Sequence, residues 1–214
     1  MTDSKLQKLR TITPDVSRET FERLLAFEAL FLKWSKSFNL AAPSTLNDFW
    51  SRHVVDSFQL TAIRKPTGTW VDIGSGGGLP GLVMAIVMCE SPGGIVHLVE
   101  SNGKKAAFLR QALLETGGSG VVHRLRIEDA YAATGPAEVI TARALTNLDN
   151  LLELSRPWMI GGATALFHKG REYREEIIAA GDGWRLDLLE HASAVDRAST
   201  ILEIRSALPI GDKA

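Results

Sequence analysis

Five of the eight residues in "GSGGGLPG", Gly74 to Gly81, are glycine, and they follow directly on the apolar, β-rich run "WVDI". This stretch constrains the fold more than any other, because side chains are excluded either by a sharp backbone turn or by something that lies against the backbone. After the loop, Leu79, Leu82, Val83, Ile86 and Val87 fall at i, i+3, i+4, i+7 and i+8, the period of a helix packed on a sheet. Pro80 stands where a first helical turn tolerates proline. Strand, glycine loop and helix in this order predict a parallel α/β unit with its ligand side at the loop.

The rest of the chain repeats the alternation. "GIVHLVE" reads as a second strand ending at Glu100, and "NGKKAAFLRQALLETGG" as a helix closed by Gly117. "VVHRLRI", "AEVITAR" and "TALFHK" read as three more strands, with helices around Asn147 to Leu154 and Arg171 to Ala180. In the tail, "WRLDLLEHAS" and "STILEIRSA" have no helix between them, which predicts an antiparallel pair. Upstream, Leu24, Phe27, Phe31, Trp34 and Phe38 form one helical stripe, read as core and not as a base-stacking platform, and a second helix is expected from Leu46 to Leu60. The expected organisation is a helical extension over residues 1–65 and an α/β domain over 66–214. Its sheet is seven-stranded and mostly parallel, with an antiparallel C-terminal hairpin.

Lys and Arg number 24 against 25 Asp and Glu, so no global basic field announces a nucleic-acid partner, although a local basic face remains open. The single cysteine, Cys89, excludes an internal disulfide and a multi-cysteine zinc site, and reads as a small core residue. Five scattered histidines add no ligand cluster, so no metal is expected; His53 and Asp56, at i and i+3, read as a structural pair. No apolar run of about 18 residues is present, and a soluble, cytoplasmic chain is expected.

Two registers fit the glycine loop. From Gly76 the letters satisfy the dinucleotide fingerprint GxGxxG, and from Gly74 they read GxGxG. The first glycine of a dinucleotide loop follows its strand directly; here that is Gly74, and the sixth position is then Leu79, not glycine. A proline at the helix start also removes a backbone donor from the turn that would hold a pyrophosphate. Glu100, 22 residues beyond Gly78 and at the end of the second strand, is placed to accept hydrogen bonds from both hydroxyls of a ribose. That acid is shared by NAD and S-adenosylmethionine sites, so it supports a nucleoside without choosing one.

"VDIGSGGGLPGLVMAI", "VESNGKKAAFLRQ", "RIED", "TARAL" and "FHKG", preceded by "FNLAA" and "RHVVDS", resemble in order and spacing the bacterial small-subunit ribosomal RNA methyltransferase G family, also called the glucose-inhibited division protein B family. The resemblance spans roughly Phe38 to Gly170. It implies a Rossmann-like class I methyltransferase that moves a methyl group from S-adenosylmethionine to N7 of a guanine, position 527 of 16S rRNA; the 30S subunit or its precursor is the expected partner, and a monomer is expected. Carried over, Gly74, Ser75, Gly76, Gly78 and Leu79 line the methionine side of the cofactor. Glu100 and Ser101 take the ribose, Ile127 and Glu128 bracket the adenine, and Arg143 falls on a cofactor-contacting arginine. RNA contacts are expected from Arg52, His53, Lys104, Lys105, Arg124, Arg126, Lys169 and Arg171. Guanine N7 is a lone pair with no proton to remove, so no catalytic acid or base is expected. Another RNA, a protein or a small molecule as methyl acceptor, a nicotinamide-dependent oxidoreductase and a non-catalytic cofactor-binding module are the competing readings.

Overall fold

The computed structural model describes residues 2–211. Two helices come first, α1 (Thr2–Arg10) and α2 (Arg18–Ser35), then a 3₁₀ turn (Pro43–Asp48), a π-helical turn (Trp50–Val55) and the short α3 (Asp56–Phe58) and α4 (Leu60–Ile63). The alternating part runs β1 (Thr69–Ile73), α5 (Gly81–Val87), β2 (Ile95–Val99), α6 (Gly103–Thr116), β3 (Gly120–His123), α7 (Ala130–Thr134), β4 (Val139–Arg143), α8 (Leu148–Ile160), β5 (Thr164–Lys169) and α9 (Tyr173–Gly181). It closes with β6 (Trp184–Ala192) and β7 (Thr200–Pro209). None of the described helices is long and apolar enough to cross a membrane.

The seven strands form one sheet in the order β3-β2-β1-β4-β5-β7-β6. β1 to β5 are parallel neighbours, and β7 runs antiparallel to both β5 and β6. The tail is thus an antiparallel pair, as its sequence predicts, and its second strand inserts between β5 and the first. Strand order reverses at β1, whose neighbours are β2 and β4, and the C-terminal ends beside such a switch point are where open α/β sheets bind ligands.

Alternation along the buried strands separates two apolar layers. Trp70, Val96, Leu98 and Val139 face α5, α6 and the N-terminal helices, while Val71, Ile73, Ile140 and Phe167 face the layer that holds Leu148, Leu152 and Trp158 of α8. α5 is buried on all sides from Gly81 to Ile86, because α2 covers the face the sheet does not reach. α2 starts at Ser17, whose hydroxyl accepts from the Thr20 N–H at 2.9 Å. Leu24, Phe27 and Phe31 of its predicted stripe are core, the Phe31 ring lying 4.4 Å from Phe49 and 5.7 Å from Phe108 of α6, whereas Trp34 and Phe38, the latter beyond the end of the helix, pack half-buried at the core's edge.

The helix expected over Leu46 to Leu60 is instead 3₁₀, then π, then short α turns. Arg143, from the end of β4, donates at 3.0 Å to the Arg52 carbonyl, and a side chain reaching into the helical ladder is a sufficient cause for such a break. The third strand stops at His123, leaving "RLRI" outside it. Its partner β2 ends at Val99, and the Glu100 N–H makes the last bond, to the His123 carbonyl at 3.0 Å.

Candidate active site

The glycine loop does two jobs. Gly76 is left-handed at φ 54, and a Cβ there would meet nothing nearer than the Gly74 carbonyl at 3.7 Å, so it borders open space. Gly77, Gly78 and Gly81 instead face protein: an added Cβ would stand 2.7 Å from Phe31, 2.7 Å from Leu82 and 2.4 Å from the Asp72 carboxylate respectively. Packing therefore requires most of the glycines, and the ligand side requires few.

Loop and strand ends are tied together by polar contacts. The Ser75 N–H donates to the Val99 carbonyl at 2.9 Å, joining the loop to the end of β2. Asp72, fully buried beneath the loop, accepts from the Thr141 hydroxyl at 2.6 Å, and burial pushes its carboxyl up to about 6. Glu100 accepts from the Gly76 N–H at 2.8 Å and from the Asn102 N–H at 2.7 Å, one bond to each carboxylate oxygen, which fixes the group at the end of β2. Asn102 in turn caps α6, accepting from Lys104 N–H at 2.9 Å.

Above these strand ends lies a cavity of about 540 Å³, within the ~300–1,000 Å³ usual for small-molecule sites. Of the ten residues expected to hold cofactor, Gly74, Ser75, Gly76, Leu79, Glu100, Ser101, Ile127, Glu128 and Arg143 line it. Gly78 does not; it turns toward Leu82 and Leu109 at φ 86. The wall also contains Leu40, Ala41, Ala42, Thr45 and His53 from the N-terminal segment and Leu145 from beyond β4. The open glycine face, the fixed carboxylate and the apolar Leu79, Leu125 and Ile127 fit a nucleoside cofactor such as S-adenosylmethionine.

Arg143 closes one end of this cavity. Its Nη2 donates to His53 Nδ1 at 2.9 Å and to the Arg52 carbonyl at 3.0 Å, and its Nε lies 3.4 Å from Asp56 Oδ2. Because arginine only donates, His53 Nδ1 is the acceptor and its Nε2 carries the proton toward the Thr45 hydroxyl at 2.8 Å. Burial, then the Arg143 charge, push the His53 imidazole down to about 4, in keeping with that neutral form. The expected His53 and Asp56 pair thus meets through Arg143. The next residue, Ala144, is the one non-glycine at positive φ among the described residues, at 51°, and costs about 1–2 kcal/mol of backbone strain at the cavity wall.

Across Arg143, Ala144 and Leu145 lies a second, more polar cavity of about 470 Å³, bordered further by Asp56, Thr146, His168, Lys169, Glu176, Ser199 and Thr200. Here Lys169 is buried and ion-paired with Glu176 at 2.5 Å, and donates to the Thr146 carbonyl at 3.0 Å. Of the other residues expected to meet RNA, Arg126, Lys105 and His53 line the first cavity, while Arg52, Lys104, Arg124 and Arg171 are exposed. Among the described residues no group of three or more His, Cys, Asp or Glu is arranged to hold a metal ion. Sequence reasoning missed Asp72, Thr141 and the whole second cavity, because their partners are brought together only by the parallel pairing of β1, β4 and β5.

Comparison with known proteins adds the family. The model of the family described as rRNA small subunit methyltransferase G matches residues 20–201. The chain is 58% identical over 191 residues to a Rhizobium johnstonii protein named ribosomal RNA small subunit methyltransferase G, covering 88% of this chain and 93% of that one. A Brucella ovis protein of the same name is 52% identical over 202 residues, covering 94% and 95%. In fold the chain is similar to a precorrin-6y C5,15-methyltransferase from Geobacter metallireducens, with TM-score 0.51 and 8% identity over 79% of this chain and 92% of that one. The mostly parallel seven-stranded sheet with its antiparallel C-terminal pair is that of a Rossmann-like methyltransferase fold, and this chain belongs to the rRNA small subunit methyltransferase G family.

Proposed function

We propose that this protein transfers a methyl group from S-adenosylmethionine to N7 of one guanine in 16S rRNA, presented in the 30S subunit or its precursor, and does so as a cytoplasmic monomer. The observation that carries the proposal is the pair of adjoining cavities that share Arg143, Ala144 and Leu145 as a common wall. One has the glycine face and fixed carboxylate that a nucleoside cofactor needs, and the other is polar and open to an acceptor.

When bound, S-adenosylmethionine supplies an electrophilic methyl group on a sulfonium. The chain's own residues then have to orient and to exclude water. Glu100, held by two backbone N–H groups, keeps lone pairs free for ribose hydroxyls, while Ile127 offers apolar surface to the adenine and Leu79 to the methionine side. Guanine N7 attacks with its lone pair, so no side chain has to remove a proton. Both nitrogens of His53 are committed to Arg143 and Thr45, which suits a positioning part and not proton transfer. Lys105 and Arg126 in the cavity wall, with the exposed Arg52, Lys104 and Arg124, are the cations offered to RNA phosphates despite the net charge of −1.

The test is transfer from labelled S-adenosylmethionine into 30S subunits that lack the modification, with NAD and free nucleosides as controls. Incorporation at a single guanine, blocked by S-adenosylhomocysteine, is the expected result. Binding of S-adenosylmethionine without incorporation into any rRNA would refute the acceptor.

A further inference from the structure

The Lys169 side chain, expected from the sequence to meet RNA, is only 6% exposed, and its ammonium is ion-paired with Glu176 at 2.5 Å. A phosphate would have to displace that carboxylate at a place with little access to solvent. Both charged groups turn instead to one short loop. Lys169 donates to the Thr146 carbonyl at 3.0 Å, and Glu176 Oε2 accepts from the N–H of Leu148, the first residue of α8, at 2.6 Å. Asn147, between these two anchors, caps the same helix and accepts from the Asn150 N–H at 3.0 Å.

The loop held in this way, residues 144–147, joins β4 to α8, and its first two residues, Ala144 and Leu145, border both cavities. Ala144 stands at φ 51, and a non-glycine residue keeps such a conformation only where its surroundings enforce it. Here they do so from two sides. Before Ala144, the Arg143 side chain is fixed to His53 and the Arg52 carbonyl. After it, the backbone of Thr146 and Leu148 is fixed to Lys169 and Glu176. Leu145, in between, packs against the glycine loop, since a Cβ on Gly74 would stand 2.7 Å from its side chain. A displacement of this loop therefore reaches the cofactor cavity and the polar cavity at once.

We propose that Lys169 and Glu176 are positioning residues: through Thr146 and Leu148 they set the wall against which methyl donor and acceptor base are aligned, and Lys169 makes no phosphate contact. The inference rests on the proposed methyl transfer to rRNA and assigns two residues that act on its geometry without touching either substrate. Transfer between two bound groups depends on their alignment, so a wall that shifts lowers the rate of the bound complex more than it lowers binding.

The experiment compares the wild type with Lys169→Met and with the double variant Lys169→Met, Glu176→Gln. The double variant leaves no charge of the pair uncompensated, and it carries the comparison where Lys169→Met alone does not fold. Calorimetric titration with S-adenosylhomocysteine gives the binding stoichiometry and so counts folded sites. Affinity for small subunits that lack the modification is measured against salt, and kcat and KM for methyl transfer are expressed per folded site. One phosphate contact contributes roughly 0.7–0.9 to the slope of log affinity on log salt. The variants are expected to keep the wild-type slope and a KM for the subunit within about threefold, while kcat falls on the order of ten- to a hundredfold. A slope reduced by about one contact would make Lys169 a phosphate ligand and overturn the inference. An unchanged kcat per folded site would overturn it as well. Wild-type protein that transfers no methyl group to these subunits would instead refute the proposed function, and this assignment with it.

Discussion

Gly76→Val separates the ligand side of the glycine loop from its packing side. The residue sits at φ 54, where a side chain costs about 1–2 kcal/mol, with valine near the upper end. No clash adds to this, since a Cβ would have the Gly74 carbonyl at 3.7 Å as its nearest neighbour. Against a typical total of ~5–15 kcal/mol the variant stays folded, and a loss of this size lowers the Tm by about 2–8 °C in a chain of this length. The isopropyl group, however, enters the 540 Å³ cavity beside the Glu100 carboxylate, in space the cofactor has to fill. An affinity loss of at least about a hundredfold, ~2.7 kcal/mol, is expected by calorimetric titration with S-adenosylhomocysteine. Gly76→Ala should fall between the variant and the wild type. Affinity within threefold of the wild type would refute the assignment of Gly76 to the cofactor wall, and a Tm loss far beyond 8 °C would refute the claim that it borders open space.

At Gly81 the same kind of substitution should act on the fold. Alanine gains about 1 kcal/mol of helix propensity, but its Cβ would stand 2.4–2.5 Å from Asp72 and Leu98 atoms, and overpacking at ~1–3 kcal/mol or more decides the sign. Denaturant unfolding should show Gly81→Ala less stable than the wild type, and a more stable variant contradicts the packing. Asp72, with its folded pKa raised to about 6, holds its proton more tightly when native than when unfolded. Its contribution is therefore largest below about pH 4 and is lost as pH rises through 6, by up to about 3 kcal/mol. Asp72→Asn should flatten that part of the stability profile between pH 4 and 6, and an identical slope in both proteins would sink the argument. Arg126→Ala and Lys105→Ala should each weaken binding to 30S particles and reduce the steepness of its salt dependence; a salt slope equal to that of the wild type would remove them from the RNA face.

Much of the architecture was legible because it rests on periodicity and on glycine. Strand alternation, the α6 cap at Gly117 with φ 64 and the missing helix between β6 and β7 are local signals, and the structure reproduces them. The break in the helix around Trp50 was not legible, since the group that reaches its carbonyl, Arg143, lies 91 positions along the chain. The same distance hid the purpose of "RHVVDS". Its histidine and aspartate look like a pair at helical spacing, yet both turn to the arginine of "TARAL". Lys169 shows the opposite limit. Its place at a strand's C-terminal end was correct, but only the fold shows that Glu176, one α-helix later, already takes its charge.

These long-range contacts bear on whether the sheet and its helices can act without the N-terminal segment. Leu40, Ala41, Ala42, Thr45 and His53 make one wall of the cofactor cavity, and the Phe31 ring is what an added Cβ at Gly77 would strike. Phe108 of α6 meets the rings of Phe27, Phe31 and Trp34 at 6.5, 5.7 and 5.5 Å. A chain cut to residues 66–214, at the boundary the sequence suggests, would expose Phe108 and the outer face of α5. Each large side chain returned to water costs ~1.5–3 kcal/mol, so a few of them consume a typical total stability. The fragment should accordingly lack a cooperative thermal transition, bind hydrophobic dyes and fail to bind S-adenosylhomocysteine. A fragment that melts cooperatively with the affinity of the full chain would show that the α/β unit is a domain in its own right and that the N-terminal wall is dispensable to the cofactor.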